Sequence, residues 1–386
     1  MTAHVVEPAQ PARVVDHDEG EPGHHDRPIG ARRGEARRVP DGGPFPGEDG
    51  LALPLVTHRV GVRRGGAVYP GAMHAVTIVD GALQWREHPD PVPGHGEVLV
   101  TVAAAGVNAA DLLQRRGLYP APAGSPADIP GLEFAGTVVG LGTGAGRFAV
   151  GDRVMAICGG GGQAELVAVP EGSLLPVPDG TPWDQAGGFP EAFSTAHDAL
   201  FTQARLGAGQ RVLISGAAGG VGTAAVQLAH AAGAQVVASV RSVAHHERVR
   251  GLGADRVVEP GDVADHGPYD VSLELVGAPG VAAVLPLLAT GGRIVVIGVG
   301  AGAKLELNLL ALMGSRATIG GSTLRSRSRD DKAAVARAVE EHVLPLLADG
   351  SVAVAVAEQL PMDVADQAYE RFATGGKFGK IVLVNR

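Results

Sequence analysis

Cysteine is nearly absent: Cys158 is the only one among 386 residues. A single thiol cannot close an internal disulfide, which points to a reducing, cytoplasmic location. Nor can it build a Cys₃ or Cys₄ zinc site. Beside Gly159-Gly160-Gly161-Gly162 it reads as a small structural residue. Long apolar runs are missing too, and none approaches the ~20 residues needed to cross a bilayer. A membrane is therefore not an expected partner. Lysine occurs only at Lys304, Lys332, Lys377 and Lys380, so arginine carries nearly all the positive charge. With 32 basic and 41 acidic residues the net charge is -9, which leaves no general basic face for nucleic acid. What is present is 45% hydrophobic residues and 58 glycines, the composition of a soluble globular chain long enough for two domains.

Residues 1–72 differ from the rest. Proline, glycine, arginine, histidine and acids are mixed there, as in His17-Asp18-Glu19-Gly20-Glu21-Pro22-Gly23-His24-His25-Asp26. Such a segment buries too little apolar surface to offset its ordering entropy, so a disordered tail is expected. In that tail His24-His25 reads as solvated rather than as a metal pair. The tail lacks the apolar core of a signal peptide, and its acids disfavour a transit peptide. Met73 is expected to be the native start, with the tail an upstream extension. Over 73–191 short strand signals recur at 75–79, 97–104, 133–141, 152–157 and 164–169, the pattern of a small mostly-β domain. Over 192–325 the rhythm changes to strands alternating with helices, with strands at 212–215, 236–240, 256–258, 271–275, 294–298 and 317–320. That alternation implies an α/β unit with a doubly wound parallel sheet. A helix over 331–347 and a strand over 380–384 follow, and 326–386 is expected to complete the β domain.

One stretch carries most of the functional information. Ala217-Ala218-Gly219-Gly220-Val221-Gly222 follows the apolar run Arg211-Val212-Leu213-Ile214-Ser215-Gly216 and opens a helix-like segment. A buried strand turning through glycines into a helix gathers free N–H groups at a positive helix end, which suits a pyrophosphate. The glycines let backbone approach phosphate and let the helix pack on the strand. A purely structural loop is the alternative for a lone glycine motif; the strand-turn-helix context favours a dinucleotide. Ala217, Gly219, Gly220, Val221 and Gly222 are the candidate contacts, and a bulky residue at Gly220 is expected to abolish cofactor binding and spare the fold. In an NAD-specific site an acid stands ~20 residues beyond the turn. Here that strand ends Ala238-Ser239-Val240-Arg241-Ser242, without an acid. Ser239, Arg241 and Ser242 offer donors to a 2′-phosphate, which favours NADPH; a surface arginine in a turn is the other reading. Gly298 and Gly300 stand at the carboxyl edge of the sheet, where ligands bind in such folds.

The order of motifs resembles the medium-chain reductases, in particular the zeta-crystallin-like NADPH:quinone oxidoreductases. The matching residues are Gly106-Val107-Asn108-Ala109-Ala110-Asp111 through Tyr119-Pro120, Pro130-Gly131-Leu132-Glu133-Phe134-Ala135-Gly136, Gly151-Asp152-Arg153-Val154 and the glycine turn. Gly159-Gly160-Gly161-Gly162-Gln163-Ala164-Glu165 and Leu324-Arg325-Ser326-Arg327 look like the branch whose human member is induced by a tumour suppressor. The resemblance implies a GroES-like β domain plus a Rossmann domain, a homodimer, and hydride transfer from NADPH to a small-molecule quinone. It further implies that Asn108 and Tyr119 face the nicotinamide as catalytic residues, and that Thr195 and its neighbour Ala196 meet the cofactor. An Asn turn, a Tyr packed beside Pro120 and a Thr helix cap are the structural alternatives. Leu324 and Lys380 would close the cofactor cleft, although a surface role for Lys380 is equally open. Zinc members carry Gly-His-Glu where this chain has Gly131-Leu132-Glu133, so no metal is expected. The chain also departs from the family at Ser242-Val243-Ala244-His245, where a lysine is lost, and at Pro260, in place of a tyrosine. Two other functions stay open: an enoyl reductase acting on activated alkenes, and an NADPH-binding protein without activity.

Overall fold

The computed structural model describes residues 71–385. The expected tail, up to residue 70, and its His24-His25 pair lie outside the described residues. At the start of the described chain Asp80-Gly81 supplies two consecutive positive φ angles, 49° and 78°. That pair is the two-residue turn that folds β1 (Ala72–Val79) onto β2 (Ala82–Pro89) as an antiparallel hairpin. β2 was not among the expected strands because its sequence, ALQWREHP, carries little apolar alternation.

A seven-stranded sheet contains β3 (Glu97–Val107), β4 (Glu133–Leu141), β5 (Arg153–Ile157), β6 (Leu166–Pro170) and β7 (Leu174–Pro176). It is completed from the far end of the chain by β14 (Val356–Pro361) and β15 (Lys380–Val384). In β3 the buried Val98, Val100 and Val102 alternate with half-buried residues, the period-two pattern of a strand covered on one face. β15 lies antiparallel to β3, with Ile381 opposite Val107 and Val384 opposite Ala104. This pairing brings Lys380 to the end of β3, beside the first turn of α1 (Ala109–Arg115).

The second sheet has six strands: β8 (Arg211–Ser215), β9 (Gln235–Ser239), β10 (Arg256–Val258), β11 (Tyr269–Glu274), β12 (Leu288–Val296) and β13 (Thr318–Gly321). Their order is β10-β9-β8-β11-β12-β13 and every pair is parallel. Strand order therefore reverses between β8 and β11, the crevice where doubly wound sheets take their ligands. β12 ends at Val296, earlier than the expected strand. The reason is local: the N–H groups of Ile297 and Gly298 both turn back to the carbonyl of Glu274, at the end of β11. The expected helix over 331–347 divides into α8 (Arg329–His342) and α9 (Leu344–Ala348), because Pro345 has no N–H with which to continue the ladder.

Between the sheets runs α2 (Trp183–Gly188), then α3 (Pro190–His197), which packs on α4 (Gly220–Ala231). One apolar cluster joins Met155 and Leu175 of the first sheet, Phe189 and Phe193 around α3, and Ile214 and Val236 of the second sheet. The seam between the sheets is thus solidly packed, and α3 lies within it. Among the described residues no helix is long and apolar enough to cross a membrane.

Candidate functional site

The glycine turn joins β8 to α4. Gly219 is the N-cap of α4 and offers no side chain to it, so the amides of the first turn are left for a ligand. A Cβ on Gly222 would stand 2.5 Å from the carbonyl oxygen of Gly216 and 2.6 Å from Cα of Ala217. Only glycine allows the helix to approach the turn so closely. The N–H of Ala217, itself buried, donates to the carbonyl of Ser239 (3.2 Å), which ties the turn to the end of β9. Arg241 and Ser242 stand exposed just beyond, and Arg241 has no ion-pair or hydrogen-bond partner among the described residues. His245, where the family's lysine is lost, donates Nε2–H to the carbonyl of Gly376 (3.1 Å). Gly220 and Val221 are half-buried. Gly298 is packed so tightly that a Cβ would lie 2.3 Å from the carbonyl oxygen of Leu275, whereas Gly300 is exposed. Thr195 lies in the last turn of α3, not at its N-cap; it is 7% exposed, and its buried Oγ1 has no hydrogen-bond partner. An orphaned buried hydroxyl and an uncapped glycine turn are what a bound dinucleotide would complete.

A second set of groups gathers where β15 meets β3. Lys380 is not a surface charge: it is 3% exposed, and its ammonium donates to Asn108 Oδ1 (2.6 Å) and to Glu133 Oε1. An ammonium can only donate, so this contact fixes the orientation of the Asn108 amide. Asn108 Nδ2 in turn donates to Glu133 Oε1 (2.9 Å). The other oxygen of Glu133 accepts from the backbone N–H of Glu191 (2.8 Å). Space for this network comes from Gly106 on β3, where a Cβ would fall 2.1 Å from Glu133 Oε1. The main chain of the glycine turn touches the same place: Gly379 N–H donates to the carbonyl of Ala218 (2.8 Å). A Cβ on Gly220 would stand 2.5 Å from Cδ of Lys380, so a bulky residue there would strike the charged network.

Three carboxyl groups share this space with one lysine. Asp111 is fully buried, and its two oxygens accept from the N–H groups of Asn108 (2.8 Å) and Gly131 (3.2 Å). Burial outweighs these bonds and pushes its carboxyl up to about 7. Glu191, in the first turn of α3, is half-buried and is pushed up to about 8, by burial first and then by the Glu133 carboxylate. Cys158 is buried with its S–H on the carbonyl of Gly131 (3.1 Å), and burial raises the thiol to about 12.

Tyr119 sits in a separate clasp. Its hydroxyl pairs with Thr323 Oγ1 (3.0 Å), and the Arg325 guanidinium stands over its ring at 5.1 Å. Buried Arg325 donates to the carbonyls of Tyr119 (2.8 Å) and Gly159 (2.8 Å) and to Gln114 Oε1 (2.5 Å). Leu324 beside it is buried in a small apolar pocket with Leu175, Ser194 and Val335. The structure thus brings Asn108, Lys380 and the glycine turn together, and brings Tyr119 together with Leu324 and Arg325.

Residues 94–179 match the family described as "Alcohol dehydrogenase GroES-like domain", and residues 220–341 match that described as "Zinc-binding dehydrogenase". The quinone oxidoreductase of Rattus norvegicus is 30% identical over 306 residues, covering 76% of this chain and 91% of that protein. The chain is an oxidoreductase of the medium-chain dehydrogenase/reductase superfamily. Polyketide synthase GfsB of Streptomyces halstedii is 38% identical over 235 residues, which are 59% of this chain but only 4% of that synthase. Among solved structures, a probable oxidoreductase from Mycobacterium abscessus superposes with a TM-score of 0.70 at 32% identity, covering 82% of this chain and all of that one. The nicotinamide cofactor of the superfamily suits the uncapped turn and the unpaired Thr195. Zinc does not suit this member. Leu132 is an apolar side chain, Lys380 neutralises Glu133, and the Cys158 thiol is tied to a carbonyl. Among the described residues no three His, Cys, Asp or Glu are arranged to hold an ion.

Sequence reasoning passed over three members of the site. Glu133 was visible only as part of the Gly131-Leu132-Glu133 motif, Arg325 only as part of a branch motif, and Glu191 not at all. Nothing local distinguishes Glu191 from an ordinary acid in the first turn of a helix, where the dipole favours one.

Proposed function

We propose that the protein is a zinc-independent, NADPH-dependent reductase that passes hydride from the reduced nicotinamide to a quinone. The observation that carries this reading is the junction of the glycine turn with the Asn108–Lys380–Glu133 network, through the hydrogen bond from Gly379 to Ala218. That junction supports the reading because it joins the glycine turn to a site whose buried Lys380 is already paired with Glu133. The absence of an acid at the end of β9, and the unpartnered Arg241, support NADPH over NADH.

The residues of the chain have positioning work to do. Asn108 is held by Lys380 and Glu133, so its amide orients the floor of the site and must release a partner before it binds an acceptor carbonyl. Tyr119, held by Thr323 and Arg325, would cover the acceptor. Quinone reduction asks little acid catalysis of the protein, since hydroquinone oxygens take protons from water. A homodimer is supported by the exposed Leu309, Leu310 and Met313 on α7 (Leu309–Ser315), next to edge strand β13. The lone buried cysteine supports a reducing, cytoplasmic setting.

The match to segments of polyketide synthases favours one second reading, reduction of an activated alkene such as an enone or enoyl thioester. A panel separates the two: NADPH oxidation with 1,4-naphthoquinone, an enone and a crotonyl thioester. Quinone turnover well above the others is the expected result. No NADPH consumption with any acceptor, despite NADPH binding, would leave a binding protein.

A further inference from the structure

Of the three carboxyl groups in the buried cluster, two are fully committed. Both oxygens of Asp111 are held by backbone amides, and both oxygens of Glu133 by Lys380, Asn108 and the Glu191 amide. The carboxyl of Glu191 makes no hydrogen bond or ion pair among the described residues, and it is half-buried, so water can reach it. Four residues along α3, on the same helical face, stands Thr195, whose buried Oγ1 is also without a partner. Two unsatisfied polar groups, one turn apart at the packed seam between the sheets, mark the side of α3 that a ligand would complete.

We propose that Glu191 is the proton donor of this site and that it extends the reductase reading, on which it rests, to activated alkenes. An alkene needs what a quinone does not, a proton delivered to carbon or to an enolate oxygen. The electron pair arrives as hydride from the reduced nicotinamide, which is thereby oxidised, and forms a new C–H bond at the β-carbon. The carboxyl O–H of Glu191 then breaks, and its proton goes to the enolate at the α-carbon or oxygen. The carboxylate left behind regains a proton from water.

Charged and titratable groups face Glu191 from several elements. They are Glu133 on β4, Asp111 on α1, Lys380 on β15, Arg325 beyond β13, Lys332 on α8 and Cys158 beyond β5. Burial and the Glu133 charge raise Glu191, while Lys380 and Arg325 pull it back, leaving it at about 8. The carboxyl is therefore protonated at neutral pH and lost as a donor above about 8. The other candidates are bound elsewhere: the Tyr119 hydroxyl on Thr323, and the Cys158 thiol on Gly131.

The test uses the full chain and Glu191→Gln, with NADPH and either an enone or 1,4-naphthoquinone, across about pH 6 to 10. With the enone, kcat of the unchanged protein should fall on the basic side with an apparent pKa near 8. Glu191→Gln should lose about 100-fold in enone kcat and lose that basic limb. Its quinone turnover should fall by a smaller factor, and NADPH should still quench its fluorescence. Enone turnover and a basic limb that survive the substitution would overturn the proposal. Quinone reduction without any enone reduction in the unchanged protein overturns it too, and leaves the reductase reading standing; no turnover of either acceptor overturns both. Should Glu191→Gln fail to fold, the enone pH profile of Glu191→Asp decides. A basic limb moved from its wild-type position supports the proposal, and an unmoved limb refutes it.

Discussion

The glycine turn and the charged cluster lie side by side and are built in opposite ways. The turn is shaped by missing side chains: Gly219 caps α4 with nothing, and Gly222 allows backbone to lie against backbone. The cluster is shaped by side chains packed until almost every polar atom is spoken for, as around Glu133. The turn uses a few consecutive residues. The cluster uses Gly106, Asn108, Asp111, Glu133, Glu191 and Lys380, which span most of the folded chain. A main-chain site can be disturbed by adding atoms, and a buried ionic site by removing them.

The largest effect should come from the cluster. Lys380→Met leaves Glu133 buried without its cation, a loss of about 3–5 kcal/mol in a urea titration. A loss below 1 kcal/mol would mean that the network is looser than its hydrogen bonds imply. The turn should respond less in stability and more in ligand. Gly222→Val forces a side chain against the Gly216 carbonyl, costing about 2 kcal/mol and most of the NADPH affinity, measured by thermal melting and fluorescence quenching. Gly222 is the sharper position for this comparison, because any side chain at Gly220 also displaces Lys380. The smallest effect should be at Arg241, which is exposed and unpartnered. Arg241→Ala should leave melting unchanged and raise KM for NADPH about tenfold, with little change for NADH, the scale of one charge-assisted hydrogen bond. Equal changes for both cofactors would remove Arg241 from the phosphate site.

The same contrast explains what could be read from the residues alone. The alternation of strands and helices over 192–325 was legible because periodicity is a local property of the chain. The hairpin strand β2 was missed because its residues are mostly polar, although Asp80-Gly81 was a usable turn signal. Lys380 could be named, but its burial could not, since a lysine after a glycine reads equally well as surface charge. Glu191 had no signal of its own. Its carboxyl is raised by burial first and then by Glu133, 58 residues earlier in the chain, and neither is visible before folding.

The amino-acid order by itself determined the pairing of a mostly-β unit with a parallel α/β sheet and the position of the glycine turn. Each of these depends on residue type, or on spacing within one strand-turn-helix unit. The tertiary structure alone decided which acid lacks a partner, what holds the Asn108 amide in place and why Gly106 has no side chain. Charges and hydrogen bonds act over a few ångströms of space, and only folding brings residues hundreds of positions apart to that distance.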